Sequence, residues 1–210
     1  MTSTDSPALN LSGSIEVAKG DATYEKILDA GLALFTEFGL RRTTMEDVAA
    51  RAGVGRATAY RRFGDKHQLI QAVIVRECQR QLQLIEDHLK QFATPQETLL
   101  EAFVMAVTRA HSHPLLVRLL SSEPEDILPT LTLGWAPFLA LFRNHMAAQI
   151  RKGEASGYIK LHSADQLAEL LLRLMQSLLL SPEGLFNPSD EASIRELARH
   201  YLLPWLARKE

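Results

Sequence analysis

The residues able to do chemistry lie close together, between Thr43 and Lys66, in the run TTMEDVAARAGVGRATAYRRFGDK. Arg56 and Arg61 carry guanidinium forks that match the O6 and N7 acceptors of guanine. Thr44, Thr58, Tyr60 and Lys66 carry hydroxyl and ammonium groups suited to phosphate oxygens. Ala57 puts a small apolar group among them. Lys66 also falls in the first turn of a helix, where free backbone N–H groups attract a phosphate. The whole chain has a net charge of −2, yet the segment from Arg41 to Lys66 holds seven basic residues against three acidic ones, a local excess of +4. That asymmetry describes a phosphate-facing module on an acidic body.

These side chains need a scaffold, and the spacing supplies one. Thr43 or Thr44 caps a short helix, with Glu46 three residues after Thr43 in capping-box register. Met45, Val48, Ala49 and Ala52 form its apolar side, and Gly53 stands where a positive φ angle ends it. Val54 fills the wedge to a second short helix over 56–62, anchored by Phe63. Two short helices joined by a glycine-containing turn make a helix-turn-helix. The N-terminal part of the second helix, with Arg56, Ala57, Tyr60 and Arg61, is the part that reaches base edges in the major groove of double-stranded DNA. A preceding helix from Asp21 carries Tyr24, Ile27, Leu28, Leu34, Phe35 and Phe38 at helical spacing, and Gly39 stops it.

At these residues the chain resembles the TetR family of bacterial transcriptional regulators. The resemblance runs from about Tyr24 to Leu69 and rests on ILDAGLALFTEFGLRRTTMEDVAARAGV and on the run Ala59-Tyr60-Arg61-Arg62-Phe63-Gly64-Asp65-Lys66. It implies that Phe35 and Phe38 are core aromatics and that Tyr60 and Lys66 touch phosphate. Gly55 stands where the family often has a capping serine, and Ala57 where glycine is common. Beyond Leu69 the likeness is one of architecture.

The rest of the chain reads as helices. Asp65 with Gln68 opens a long one over 65–92, and Thr94-Pro95-Gln96-Glu97 opens the next. A short apolar helix covers 115–120 and a loop 121–129, with two prolines and three acids. Further helices cover 131–152, kinked at Pro137, then 163–180, and finally 189–208, with Pro204 in its last turn. No segment alternates with the two-residue period of a strand. The expectation is an all-α protein of about nine helices. It comprises a tail over 1–20, an N-terminal three-helix domain with a helix-turn-helix over 21–68, and a C-terminal bundle of about six helices over 69–210.

By analogy with the family, the helices over 163–180 and 189–208 pair two copies into a homodimer, through Leu167, Leu171, Leu174, Leu178, Ile194, Leu202 and Trp205. Phe103, Leu116, Trp135, Phe138, Leu139, Phe142 and Met146 are the candidates to enclose an apolar small-molecule effector, with Arg109, Arg118 or Arg143 for an anionic head group. The expected function is a ligand-responsive, homodimeric repressor of a palindromic operator. A regulator of the same fold without an effector is the alternative. So is a metal-dependent helical enzyme using His111 and His113 with Glu123 and Asp126, although residues two apart on a helix do not share a face.

No nucleophile elbow, phosphate-cradling loop or carboxylate pair supports catalysis, and no cofactor or structural metal is expected. Ser156 in GEASG lacks the elbow spacing, and the glycines at 53 and 55 follow a helix rather than a strand. The single cysteine, Cys78, excludes an internal disulfide and reads as a buried apolar residue. The longest apolar run, from Leu167 to Leu180, is broken by Glu169, Arg173 and Gln176, so no membrane span is expected. Without a basic start and apolar run at Met1, the expected location is the cytoplasm.

Overall fold

The structure, a computed structural model, describes residues 21–155 and 163–206. The expected tail over 1–20, most of the expected loop over 153–162 with Ser156, and the end of the last helix lie outside the described residues. So do the side chains of Pro137 and Trp205. Among the described residues the regular structure is all-helical. The chain divides into two compact units: one comprises the residues up to Arg80 with Pro114–Trp135, the other Gln81–His113 with the residues from Ala136 onward.

The first unit holds α1 (Ala22–Arg42), α2 (Met45–Arg51), α3 (Arg56–Phe63), the first part of α4 (Lys66–Leu89), α6 (Pro114–Ser122) and α7 (Pro124–Leu131). Asp21 caps α1 by accepting the Thr23 N–H at 2.8 Å. The stripe Ile27, Leu28, Leu34 and Phe35 is buried, as its spacing requires. Phe38 departs from expectation: its period places it with the core, but it is 43% exposed. The helical course breaks at the next residue, Gly39, at φ +84°, and Leu40 after the break takes the buried place.

A second departure is α7, where a loop was expected over 121–129. Pro124 stands in its first turn, where a missing N–H costs nothing, and Glu125 and Asp126 follow it at the positive end of the helix dipole. The residues that suggested a loop are helix-start residues in this order. Ile127 and Leu131 bury its inner face, while Pro129 within it keeps it short.

The second unit holds α5 (Pro95–Ser112), α8 (Ala136–Ala155), α9 (Ala164–Leu180), α10 (Glu191–Leu197), a π-helical turn (Ala198–Leu202) and α11 (Leu203–Leu206). Thr94 caps α5 and Ser163 caps α9, each accepting the N–H three residues on. The expected helix over 131–152 starts only at Ala136, so Pro137 is its second residue and no mid-helix kink is needed. Near the C-terminus, Pro204 has no N–H to offer the His200 carbonyl. The helix widens just before it, and the Leu203 N–H reaches back five residues to the Ala198 carbonyl.

In the core of this unit α5 meets both α9 and α10, and Leu99, Phe103 and Val107 of α5, Leu167, Leu171, Leu172 and Met175 of α9, and Ile194 and Leu197 of α10 are buried there. Each such side chain contributes about 1.5–3 kcal/mol by leaving water. Arg195 grips Glu101 with two nitrogens, at 3.0 and 2.6 Å, tying α10 to α5.

Candidate nucleic-acid interface

The capping box that opens α2 sits one residue later than its spacing suggested. Thr44, not Thr43, is the cap: its hydroxyl accepts the Asp47 N–H at 3.1 Å, and the Asp47 carboxylate accepts the Thr44 N–H at 2.9 Å. The Thr44 hydroxyl also donates to Asp47 at 2.6 Å. These bonds, the hydroxyl's first and the amide's second, hold the Asp47 carboxyl below its usual range. Thr43 is buried and donates its hydroxyl to the Gly39 carbonyl at 2.8 Å.

The turn between α2 and α3 follows the sequence reading. Gly53 has φ +67°, a region that side chains rarely adopt. The Val54 N–H returns to the Ala49 carbonyl at 3.0 Å. Ala49 and Ala59 are buried where α2 meets α3, and Val54 is half-buried beside them. Gly55 caps α3 with its backbone alone. The far end of α3 is held against α1: the Phe63 ring stacks on Tyr24 at 4.7 Å, and Arg62 pairs with Asp21.

This scaffold leaves Arg56, Ala57, Tyr60 and Arg61 exposed on α3, with Thr58 half-buried. Their partners differ. Arg61 has no hydrogen-bond or ion-pair partner among the described residues. Arg56 pairs through Nε with Glu46 of α2 at 2.7 Å and lies over the Tyr60 ring at 5.4 Å. The Tyr60 hydroxyl donates to the same Glu46 oxygen at 3.3 Å. Lys66 donates to the Arg41 carbonyl at 3.5 Å, and Thr44 is engaged in its cap.

Much of the local positive charge is therefore balanced within the first unit. Arg41 pairs with Glu125 and Asp126 at 2.6 and 2.7 Å, Arg51 with Glu37, Arg56 with Glu46 and Arg62 with Asp21. Of the seven cations, Arg42, Arg61 and Lys66 have no acidic partner among the described residues. Sequence reasoning gave Glu46 to a capping box with Thr43 and Asp126 to a metal, and missed their ion pairs with Arg56 and Arg41. Their partners lie 10 and 85 residues away, across a turn and across the unit, where no helical period points.

The metal alternative loses its carboxylates. Glu123 accepts the Leu40 and Arg41 amides, and Asp126 holds Arg41. No group of three or more His, Cys, Asp and Glu among the described residues is placed to hold a metal. Cys78, expected to be buried, is half-buried, and desolvation, then the charge of Glu77, pushes its thiol up to about 12.

The effector candidates fall in both units: Leu116 and Trp135 in the first, and Phe103, Phe138, Leu139, Phe142 and Met146 in the second. Phe103, Trp135 and Phe138 are buried and the other four half-buried. Within the second unit an apolar cavity of about 10 Å³, room for about one water molecule, lies between α5, α9 and the π-helical turn. Leu99, Phe103, Leu171 and Leu202 are among its lining residues, and of the expected set Phe103 alone lines it. Arg109 donates both Nε and Nη2 to Gln81, and Arg143 pairs with Glu169 at 3.5 Å.

Residues 27–73, which span most of α1, all of α2 and α3 and the start of α4, match the family model described as bacterial regulatory proteins, tetR family. The chain carries the N-terminal domain of the TetR family. A relative from Mycobacterium tuberculosis strain H37Rv, named an uncharacterized HTH-type transcriptional regulator, is 25% identical over 187 residues, covering 88% of this chain and 94% of the relative. Two solved structures share the TetR-type fold. The repressor AlkX from Dietzia sp. strain DQ12-45-1b has a TM-score of 0.64 at 21% identity, covering 88% of this chain and 97% of that one. The regulator FadR from Bacillus subtilis, in complex with stearoyl-CoA, has a TM-score of 0.60 at 19% identity, covering 83% and 96%. The helix-turn-helix of the TetR domain is thus α2 and α3.

Proposed function

We propose that this protein is a homodimeric transcriptional regulator that represses from a palindromic operator and is released by a small apolar or amphipathic effector. The observation that carries the reading is α3 itself: a rigidly docked helix presenting Arg56, Tyr60 and Arg61 outward, with the Arg61 fork free. Arg56 and Arg61 read bases, while Thr44, Thr58, Tyr60 and Lys66 face phosphates, and Ala57 admits close approach to the groove. Residues 21–68 form the DNA-binding domain and 69–210 the effector and dimerisation domain. The protein works in the cytoplasm and is not an enzyme. Among the described residues no helix is long and apolar enough to cross a membrane.

Dimerisation through α9 and the C-terminal helices is supported by exposed apolar side chains on that unit, Leu170 at 48% and Tyr201 at 60%. An apolar effector is supported by the stearoyl-CoA bound to the FadR neighbour. The effector acts through its different affinity for two states of the dimer, with α4 as the lever between DNA and effector domains.

The test is selection of binding sites from a pool of randomised duplexes by the full-length protein. The expected product is a two-fold symmetric sequence whose half-sites are centred roughly one helical turn apart. Recovery of no sequence preference would overturn the reading.

A further inference from the structure

One carboxylate governs two side chains of the recognition helix. Glu46 lies in the first turn of α2, and its Oε1 meets both Arg56 Nε at 2.7 Å and the Tyr60 hydroxyl at 3.3 Å. Arg56 and Tyr60 are four residues apart, so they stand one above the other on one face of α3. The guanidinium lies over the Tyr60 ring at 5.4 Å, which closes the trio.

The contact uses the inner nitrogen of Arg56. The two terminal amino groups make no hydrogen bond among the described residues. Those are the groups that form a bidentate pair with guanine O6 and N7. An arginine with a long, free side chain must give up rotamer entropy when it binds a base. One held at Nε by a carboxylate and laid against a ring has surrendered part of that entropy already.

The carboxylate also carries a negative charge on a face that meets phosphates. It works against sequence-blind attraction, which scales with the number of uncompensated cations. Several cations of this unit are already neutralised by their own acids. A negative charge beside Arg56 lowers non-specific binding further and leaves the base contact intact.

From this geometry, and resting on the regulator reading above, we infer that Glu46 is a positioning and specificity-determining residue: it presents the Arg56 fork to one base pair of each half-site and suppresses binding to unrelated DNA. Sequence alone marks Glu46 as the capping-box acid of Thr43, a role that Asp47 takes with Thr44 instead.

The experiment uses the full-length protein, a duplex recovered from the randomised pool, its single-base variants and a scrambled duplex, with affinities read by fluorescence anisotropy. E46A, E46Q, R56A and the double variant E46A/R56A are compared. The trio is exposed, and E46Q keeps the shape of the side chain. Circular dichroism confirms folding of each variant. E46A should bind scrambled DNA more tightly and lose roughly tenfold in discrimination at the base pair that R56A relaxes, the scale of one bidentate contact. E46Q should fall between E46A and the unaltered protein. In the R56A background, loss of Glu46 should change discrimination no further. If E46A changes affinity for every duplex by one factor, Glu46 is only a charge and the inference fails. It fails also if E46A relaxes a different base pair, since Glu46 then reads that base itself. If the unaltered protein selects no sequence, the regulator reading falls and this inference with it. If it selects a sequence that E46A recognises with undiminished stringency, only the Glu46 assignment falls.

Discussion

The carboxylate of Glu123 accepts the backbone N–H of Leu40 at 2.7 Å, across 83 residues of chain. Its other oxygen takes the Arg41 N–H at 3.3 Å. Glu123 is only 6% exposed and stands between α6 and α7, so one buried side chain fixes the end of α1 to the start of α7. The bonds are to an ionised acceptor, and such hydrogen bonds contribute about 1.5–3 kcal/mol. Glu123→Gln replaces one acceptor oxygen by an NH₂ facing an amide donor. It should lower stability to urea by roughly that amount, because a buried donor loses its partner.

Gly39 tests the same junction from the other side. Its φ of +84° strains any side chain, and a Cβ there would collide with the Glu123 carboxylate. Gly39→Ala should therefore cost more than the roughly 1 kcal/mol of a simple left-handed alanine. Differential scanning calorimetry of the two variants should find both midpoints lowered, with Gly39→Ala the worse unless Glu123 is also shortened.

The capping box of α2 makes a prediction about pH. The folded Asp47 carboxyl titrates below its usual value of 3.8, held there first by the Thr44 hydroxyl and then by its amide. A depressed folded value stabilises the protein above the unfolded value, and that stabilisation is lost as pH falls through the folded one. Asp47→Asn should lower the thermal midpoint at neutral pH, and the gap from the unaltered protein should close below about pH 4. Thr44→Ala, which removes the cap itself, should cost about 0.5–2 kcal/mol. A gap that is constant with pH would assign the effect to Asn packing instead.

Dimer contacts need to be sought on the exposed face of α9. Leu171 is 2% exposed within its own unit, so Glu there would damage the core and report on folding. Leu170→Glu with Tyr201→Glu alters side chains that are already exposed. In sedimentation velocity the double variant should run as a folded monomer where the unaltered protein runs as a dimer. An unchanged mass would move the interface elsewhere.

What was legible in the sequence was what depends on near neighbours. The caps at Thr94 and Ser163, the turn at Gly53 and the short helix α3 are set within three or four residues, and the structure holds them. Thr44 and Thr43 differ by one residue, and spacing alone did not choose between two threonines each followed by an acid at the third position. Phe38 was misplaced because helical period continues on paper through a break that Gly39 makes in space. The α7 helix was hidden by Pro124 and Pro129, which punctuate loops as often as they open helices. The pairings Glu46–Arg56, Glu123–Leu40 and Arg41–Asp126 were invisible, since an ion pair between distant residues leaves no period. For the same reason the count of cations overstated the positive charge that faces outward.

The central proposal is that Arg56 and Arg61 of α3 read bases while Thr44, Thr58, Tyr60 and Lys66 face phosphate, and Arg61 and Lys66 separate the two roles most directly. The measurement is the affinity of Arg61→Ala and Lys66→Ala for a selected duplex and for single-base mismatches, over a series of salt concentrations. Arg61→Ala should lose about 1–3 kcal/mol on the selected duplex and relax discrimination at one base pair per half-site. Lys66→Ala should weaken all duplexes alike and lower the slope against log salt by about one unit per site. If Arg61→Ala weakened every sequence equally, or Lys66→Ala altered base preference, the roles would be wrongly assigned; if neither changed binding, α3 would not be the surface that meets DNA.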